Sequence, residues 1–381
     1  MMTASRSTHR RLLLRSGRVL AAASALALVA SACGGVGLGA GEEEEQSSTK
    51  NVYAQEDVEI IVPFDPGGGT DTTARFLAPL LGEHIAGKPS VQVVNIPAGG
   101  GIVGANEFVT REHDGLSMLL TSASNTYPYL LGQEGVRYDY RSFAPTIGVP
   151  TGAVIYTSPK TGVANAGDLV GFDKKLYVGG KSPAAIDCVF LLIWDLLDLN
   201  VETVFGMESS DDTRVAFERG ETNLDWQTTS AYEESVQPMV KSGEAVPLFT
   251  VGKLKGDRLV RDPAYPDLPT VAEVYEQIHG KPPAGPMWEA YKKLMAPGFT
   301  LQKVLWLHKD APASAIEAVR QTGPEILKDP LYEKDKASVL GSDNLLVGPT
   351  LAEETANTLA IPDDTREWMV AYLNKKYDAG L

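Results

Sequence analysis

Short apolar runs alternate with apolar residues at helical spacing along most of the chain, a pattern that predicts layers of strand and helix. The first run, Ile60–Val62, stops at Pro63. A turn, Asp65-Pro66-Gly67-Gly68-Gly69, leads to Thr70 and Asp71, both suited to cap a helix carrying Phe76, Leu77, Leu80 and Leu81. Pro79 should kink or shorten that helix. Val91–Asn95 reads as a second strand, followed by Ile96-Pro97-Ala98-Gly99-Gly100-Gly101 and a helix through Phe108 and Val109. Asp114-Gly115 turns the chain into a third strand, Leu116–Leu120, ending in a polar loop, Thr121–Asn125. These strands deliver small or polar residues at their C-terminal ends, where α/β sheets place ligands.

The stretch Phe143–Tyr156, with Pro145, Pro150 and Pro159 around its apolar runs, reads as a crossover into a second lobe. There the pattern predicts a strand at Leu176–Val178, then the loop Gly179–Pro183, with Ser182 placed to cap a helix. That helix carries Val189, Leu192, Ile193, Leu196 and Leu197 on one face, and Cys188 reads as packing within it. Further strands are expected at Val201–Phe205 and Asn223–Gln227, with Ala245–Val251 as the return crossover. Capping boxes are expected at Thr270-x-x-Glu273 and Ser314-x-x-Glu317, on helices that pack back on the first lobe.

The N-terminus changes the picture of where the chain works. Five arginines precede an apolar run, Val19–Ala30, too short to span a bilayer, and Ala30-Ser31-Ala32-Cys33 resembles a bacterial lipoprotein signal. His9-Arg10-Arg11-Leu12-Leu13-Leu14-Arg15 also resembles a twin-arginine export motif. The expectation is a signal peptide at 1–32 and a flexible tether at 33–57, lipid-anchored through Cys33. The product would be exported, either periplasmic or held on the outer face of the cytoplasmic membrane. The whole chain has a net charge of −15; removing those five arginines from 34 basic residues, against 49 acidic ones, leaves −20. Such a balance argues against a nucleic-acid partner or an anionic membrane surface.

Candidate chemistry is sparse. Gly99-x-Gly101-x-x-Gly104 formally satisfies a dinucleotide fingerprint, but the next strand ends at Thr121-Ser122 without the acid that the fingerprint requires. A glycine-rich turn for an anion, or for close backbone approach, fits better. No Gly-Lys-Ser/Thr loop follows Gly67–Gly69. Gly180-Lys181-Ser182-Pro183-Ala184 lacks the final glycine of a nucleophile elbow. His84, His113, His279 and His308 have no metal-ligand spacing. No catalytic constellation, metal or cofactor is expected. The glycine turn before the first helix instead suits a small anion, because a helix start leaves unpaired N–H groups and partial positive charge.

The run Ile61-Val62-Pro63-Phe64-Asp65-Pro66-Gly67-Gly68-Gly69-Thr70-Asp71-Thr72-Thr73-Ala74-Arg75 resembles the signature of the Bug family, the extracytoplasmic solute receptors of tripartite tricarboxylate transporters. The likeness continues at Val94–Ala105, at Asp114-Gly115 and at Leu268-Pro269-Thr270-Val271-Ala272-Glu273. It implies a two-lobed, type II periplasmic-binding-protein (Venus-flytrap) α/β fold. The chain would divide into lobe 1 at 58–158, lobe 2 at 159–250, and lobe 1 again at 251–381. It further implies a cleft binding a small carboxylate. The ligand would meet Phe64, Gly67, Gly68, Gly69, Thr70 and Asp71; Gly99, Gly100, Gly101 and Gly104; and Ser122, Ala123, Ser124 and Asn125. The second lobe would add Gly180, Lys181, Ser182 and Asp225. The expected partners are a tricarboxylate, dicarboxylate or related acid and a permease of one large and one small multi-spanning subunit, with the receptor itself a monomer. An exported enzyme using the same cleft is the alternative. Two stretches depart from the pattern: the loop at Gly180–Pro183 is poorer in glycine and serine, and 280–303, with Trp288 and Tyr291, looks inserted.

Overall fold

The computed structural model describes residues 52–381; the expected signal peptide, Cys33 and most of the tether lie outside the described residues. The first strand, β1 (Asp57–Val62), is buried on both faces from Ile60 to Val62, which is why it reads as an unbroken apolar run. Helix α1 (Gly69–His84) follows. Its N-cap is Gly68, with no side-chain cap, so Thr70 and Asp71 fall inside the first turn rather than at the cap. Pro79 neither ends nor shortens this helix. It lies on the exposed side, where the carbonyl it leaves unpaired meets water.

Next come β2 (Ser90–Asn95), α2 (Ile102–Phe108), β3 (Ser117–Ser122), α3 (Ala123–Leu131) and β4 (Phe143–Val149). The polar stretch expected as a loop is in fact the end of β3 and the first turn of α3. Ser122 caps that helix: its Oγ accepts from the Ser124 N–H, and the Asn125 Oδ1 accepts from the Ser122 N–H. The second half opens with β5 (Ala153–Thr157), β6 (Leu176–Gly179), α4 (Asp187–Leu196), β7 (Val201–Val204) and α5 (Ser210–Glu218). It continues with β8 (Leu224–Thr228), α6 (Thr229–Ala231), a π-helical turn, α7 (Gln237–Ser242) and β9 (Val246–Thr250). Ser182 does not cap α4; its Oγ accepts from the Ala184 N–H in the preceding turn. A hairpin, β10 (Lys253–Lys255) and β11 (Arg258–Val260), leads to α8 (Val271–His279) and α9 (Pro286–Met295). Then come β12 (Lys303–His308), α10 (Ala313–Ile326), α11 (Pro330–Leu340), α12 (Gly348–Leu359) and α13 (Asp363–Tyr377). Thr270 and Glu273 form the expected box, whereas α10 already starts at Ala313, leaving Ser314 inside the helix.

The first sheet has the order β2-β1-β3-β12-β4, with β1, β2 and β3 parallel and β12 antiparallel to both its neighbours. A second sheet, β8-β5-β9, is antiparallel, and β6 pairs with β7 beside it. The chain changes sheet at 150–152, so Ala153–Thr157 already belongs with the second sheet, ahead of the expected boundary at 159.

The C-terminal helices divide rather than all packing on the first half. Ala315, Ile316 and Val319 of α10 and Tyr332 and Leu340 of α11 join the core of the first sheet. Val271, Val274, Trp288, Tyr291, Leu294, Met369 and Leu373, from α8, α9 and α13, instead bury against α4 with Cys188, Phe190 and Leu192. Their apolar faces meet the almost wholly apolar surface of α4, which needs cover on every side. Tyr127 of α3 is buried in the same cluster and donates to the Leu294 carbonyl at 2.5 Å, so the segment that looked inserted ties the halves together.

Candidate functional site

The first glycine loop is shaped from behind. The buried Asp71 carboxylate accepts from the Gly67 N–H at 2.9 Å, Arg75 Nε at 2.8 Å and Asn95 Nδ2 at 3.0 Å, while Asn95 also donates to the Phe64 carbonyl. Burial by itself would raise its pKa, but these bonds and the Arg75 charge outweigh it and hold the group below its usual range. Asp71 is therefore committed to the loop rather than turned to a ligand. What the loop presents is Phe64, Asp65, Gly68, Gly69 and Thr70, which line a cavity of about 50 Å³. By the volume one buried water needs, roughly 10–15 Å³, this holds a few water molecules or a small anion.

Ser122 and Ser124, at the capped start of α3, line the same cavity, as do Gln302 and Lys303 at the start of β12. The second half contributes Lys181, Ile186, Ser209, Ser210, Trp226, Thr228 and Ala231. Ser209 caps α5 by accepting from the Asp212 N–H, so the starts of α1, α3 and α5 all reach this space. Lys181 Nζ donates to Ser210 Oγ at 3.2 Å and lies 5.3 Å from the Trp226 ring centroid. That indole is held by stacking on Phe190, with centroids 3.7 Å apart. Lys303 is 2% exposed, and burial pulls its ammonium down to about 7.

The cavity is not lined by Gly67, Asp71, Gly99, Gly100, Gly101, Gly104, Ala123, Asn125, Gly180, Ser182 or Asp225. The second glycine loop serves close backbone approach. A Cβ on Gly101 would lie 2.7 Å from the Phe64 ring, and one on Gly104 would lie 2.4 Å from the Ile96 carbonyl oxygen. The loop thus seats Phe64 without itself reaching the cavity. Asn125 is consumed by the Ser122 N–H and the Gly101 carbonyl. Ala123 packs into the core, and Gly180 is wedged against Thr203, Phe205 and Asp187. Asp225 sits behind the wall: Tyr156 Oη donates to it at 2.5 Å and Gln227 Nε2 at 3.2 Å, and burial pushes its carboxyl up to about 6. Among the described residues, no group of three His, Cys, Asp or Glu side chains could hold a metal, and no helix is long and apolar enough to cross a membrane.

No protein-family profile matches the sequence. Two proteins of Bordetella pertussis do resemble it. Protein BugT is 39% identical over 74 residues, 19% of this chain and 22% of BugT. A UPF0065 protein of the same organism is 28% identical over 281 residues, 71% of this chain and 80% of that protein. The solved structure of the periplasmic binding protein BugD aligns with a TM-score of 0.63 at 19% identity, over 85% of this chain and 98% of that one. The chain is thus similar to Bug proteins in sequence and in fold. MatC from Rhodopseudomonas palustris, solved with bound malate, shares the fold at a TM-score of 0.60 and 15% identity, over 83% of this chain and 99% of that one. The chain accordingly has the two-lobed periplasmic-binding-protein fold, and the cavity is lined from both the five-stranded and the three-stranded sheet.

Several lining residues carry signals that sequence reasoning passed over. Thr228 ends β8 and Ala231 follows shortly after, a polar strand end like the one that marks Ser122. Ser209-x-x-Asp212 is a capping box with Asp in place of the usual Glu or Gln. Lys303 opens the strand Lys303-Val304-Leu305-Trp306-Leu307-His308, whose four middle residues are apolar and every residue of which is buried.

Proposed function

We propose that this protein is an exported receptor of the Bug type that closes on a small carboxylate and delivers it to a membrane permease of one large and one small multi-spanning subunit. The reading rests on one arrangement: three helix starts and two lysines, contributed by both lobes, meet at a single cavity. Unpaired N–H groups and the positive ends of helices favour an anion there. Hydrogen bonds to a charged group contribute roughly 1.5–3 kcal/mol each, and a micromolar complex needs about 8 kcal/mol, so about four such bonds suffice even after some ordering cost. The malate held by MatC in the same fold supports a ligand of this class.

Mass spectrometry of gently purified protein should recover a bound organic acid, and calorimetry should return micromolar affinity for malate or a related acid. Failure to bind any acid across a panel of mono-, di- and tricarboxylates would overturn the receptor reading, and conversion of a bound acid would indicate an enzyme instead. Lipid on Cys33 would hold the receptor at the membrane. Cys33→Ala protein should then appear in the soluble fraction, and retention at the membrane would exclude that anchor.

A further inference from the structure

Lys303 reaches the cavity by an indirect route. Strand β12 runs antiparallel between β3 and β4, so its first residue pairs with Ser122 on one side and Val149 on the other, at the end of the sheet that faces the second lobe. The side chain is 2% exposed and lines the cavity, and among the described residues no hydrogen bond or ion pair reaches its Nζ. The groups around it do not supply a counter-charge. β3, α3 and β4 bring Ser122, Ser124 and Val149. The first loop brings Asp65, which makes no ion pair with Lys303. Across the cavity stand Lys181, of like charge, and α5, whose Asp211 is paired with Arg214 at 3.3 Å. Asp187 of α4 lies behind Lys181, whose charge acts on it.

A buried ammonium without a partner is costly, so it must either shed its proton or receive an anion. We propose that Lys303 is the charge partner of the bound carboxylate, and that ligand capture brings a proton onto its amine when that amine is neutral beforehand. The proposal rests on the receptor reading above and adds the residue that selects charge. Burial lowers Lys303 from its ordinary 10.5 to about 7, and an adjacent carboxylate would raise it again. Affinity is therefore highest below about pH 7. It falls by up to tenfold per pH unit above that, until the pKa of the complex is reached. Lys181 has a different part, since Ser210 and Trp226 already hold it.

Calorimetry with malate at about pH 8, in two buffers of different protonation enthalpy, tests this directly. Wild-type protein should take up close to one proton on binding. Lys303→Met should lose about 100-fold in affinity and all of the uptake, and Lys303→Arg should bind with little or no uptake. The unliganded Met variant should also melt higher than wild type, most clearly below pH 7. The gain should shrink towards pH 10.5, because the desolvated charge is then absent from both folded and unfolded chains. A Met variant that binds malate as tightly as wild type overturns the proposal, as does wild-type binding without proton uptake. If wild type binds none of the acids in the panel, the receptor reading falls first, and the two failures are thereby told apart.

Discussion

Gly69→Val is expected to reduce affinity for malate by about 100-fold or more, while shifting the melting temperature by only a few degrees. A Cβ on Gly69 would lie 3.2 Å from Ser230 Oγ and 3.2 Å from Thr228 Oγ1, both on the opposing lobe. Gly69 is the first residue of α1, so a valine causes little strain within its own helix; the collision is with the far wall of the cleft. The lobes can relieve it by separating, which leaves each core packed but draws Lys181 and the α5 start away from Lys303. Gly68 provides the contrast. A Cβ there would meet Asp211 Oδ2 and the Asp65 carbonyl at 3.6 Å, an ordinary contact, so Gly68→Ala should be nearly neutral. Calorimetry beside thermal melts decides the matter: an unchanged affinity in Gly69→Val would mean that the bound form does not keep these lobes in contact.

Gly104→Val, in contrast, should cost the fold. Its Cβ would sit 2.4 Å from the Ile96 carbonyl oxygen and 2.7 Å from Pro63 Cα, so the obstacles on both sides are backbone rather than movable side chains. Relief requires α2 to lift from the ends of β1 and β2, breaking the seat of Phe64 and uncovering Ala105 and Phe108 in the core. Overpacking ordinarily costs about 1–3 kcal/mol and can cost more. Because this clash displaces the main chain, about 3 kcal/mol or more is expected, a large share of a typical stability of about 5–15 kcal/mol. Soluble yield and the urea midpoint would report it. A midpoint equal to wild type, even in Gly104→Ala, would show that α2 shifts without loss.

How much of this was legible in the sequence depends on how local the cause is. The turn before α1 and the ends of β1 and β2 follow from Pro63, the glycines and an apolar run, all within one stretch of chain. The second glycine loop was recognisable, and its use for close packing was one of the two readings its glycines allowed. Deciding between them takes Phe64, Pro63 and Asn125, which are distant in sequence. Helix α3 was hidden by Pro128 and a polar first turn, whose serine and asparagine cap the helix instead of forming a loop. Asp71 was placed beside the ligand only by the family resemblance; Arg75 and Asn95 in place show its acceptors spent on the loop. Lys303 was the hardest case. Its burial depends on β3 and β4, each more than a hundred residues earlier in the chain.

The place of β12 between β3 and β4 also sets an order of assembly. β3 and β4 are consecutive in the chain yet share no ladder, and the strand that joins them is encoded after the whole of the second sheet. The second sheet can close from residues 153–250, whereas the first remains two fragments until residue 308 is available. Contacts of such long sequence separation form late, because loop closure must precede any gain from pairing. The consequence concerns truncation. The cavity cannot exist until Lys303 has been made and β12 has joined β3 to β4, so a chain stopped before residue 303 should close its second sheet and yet have no cavity.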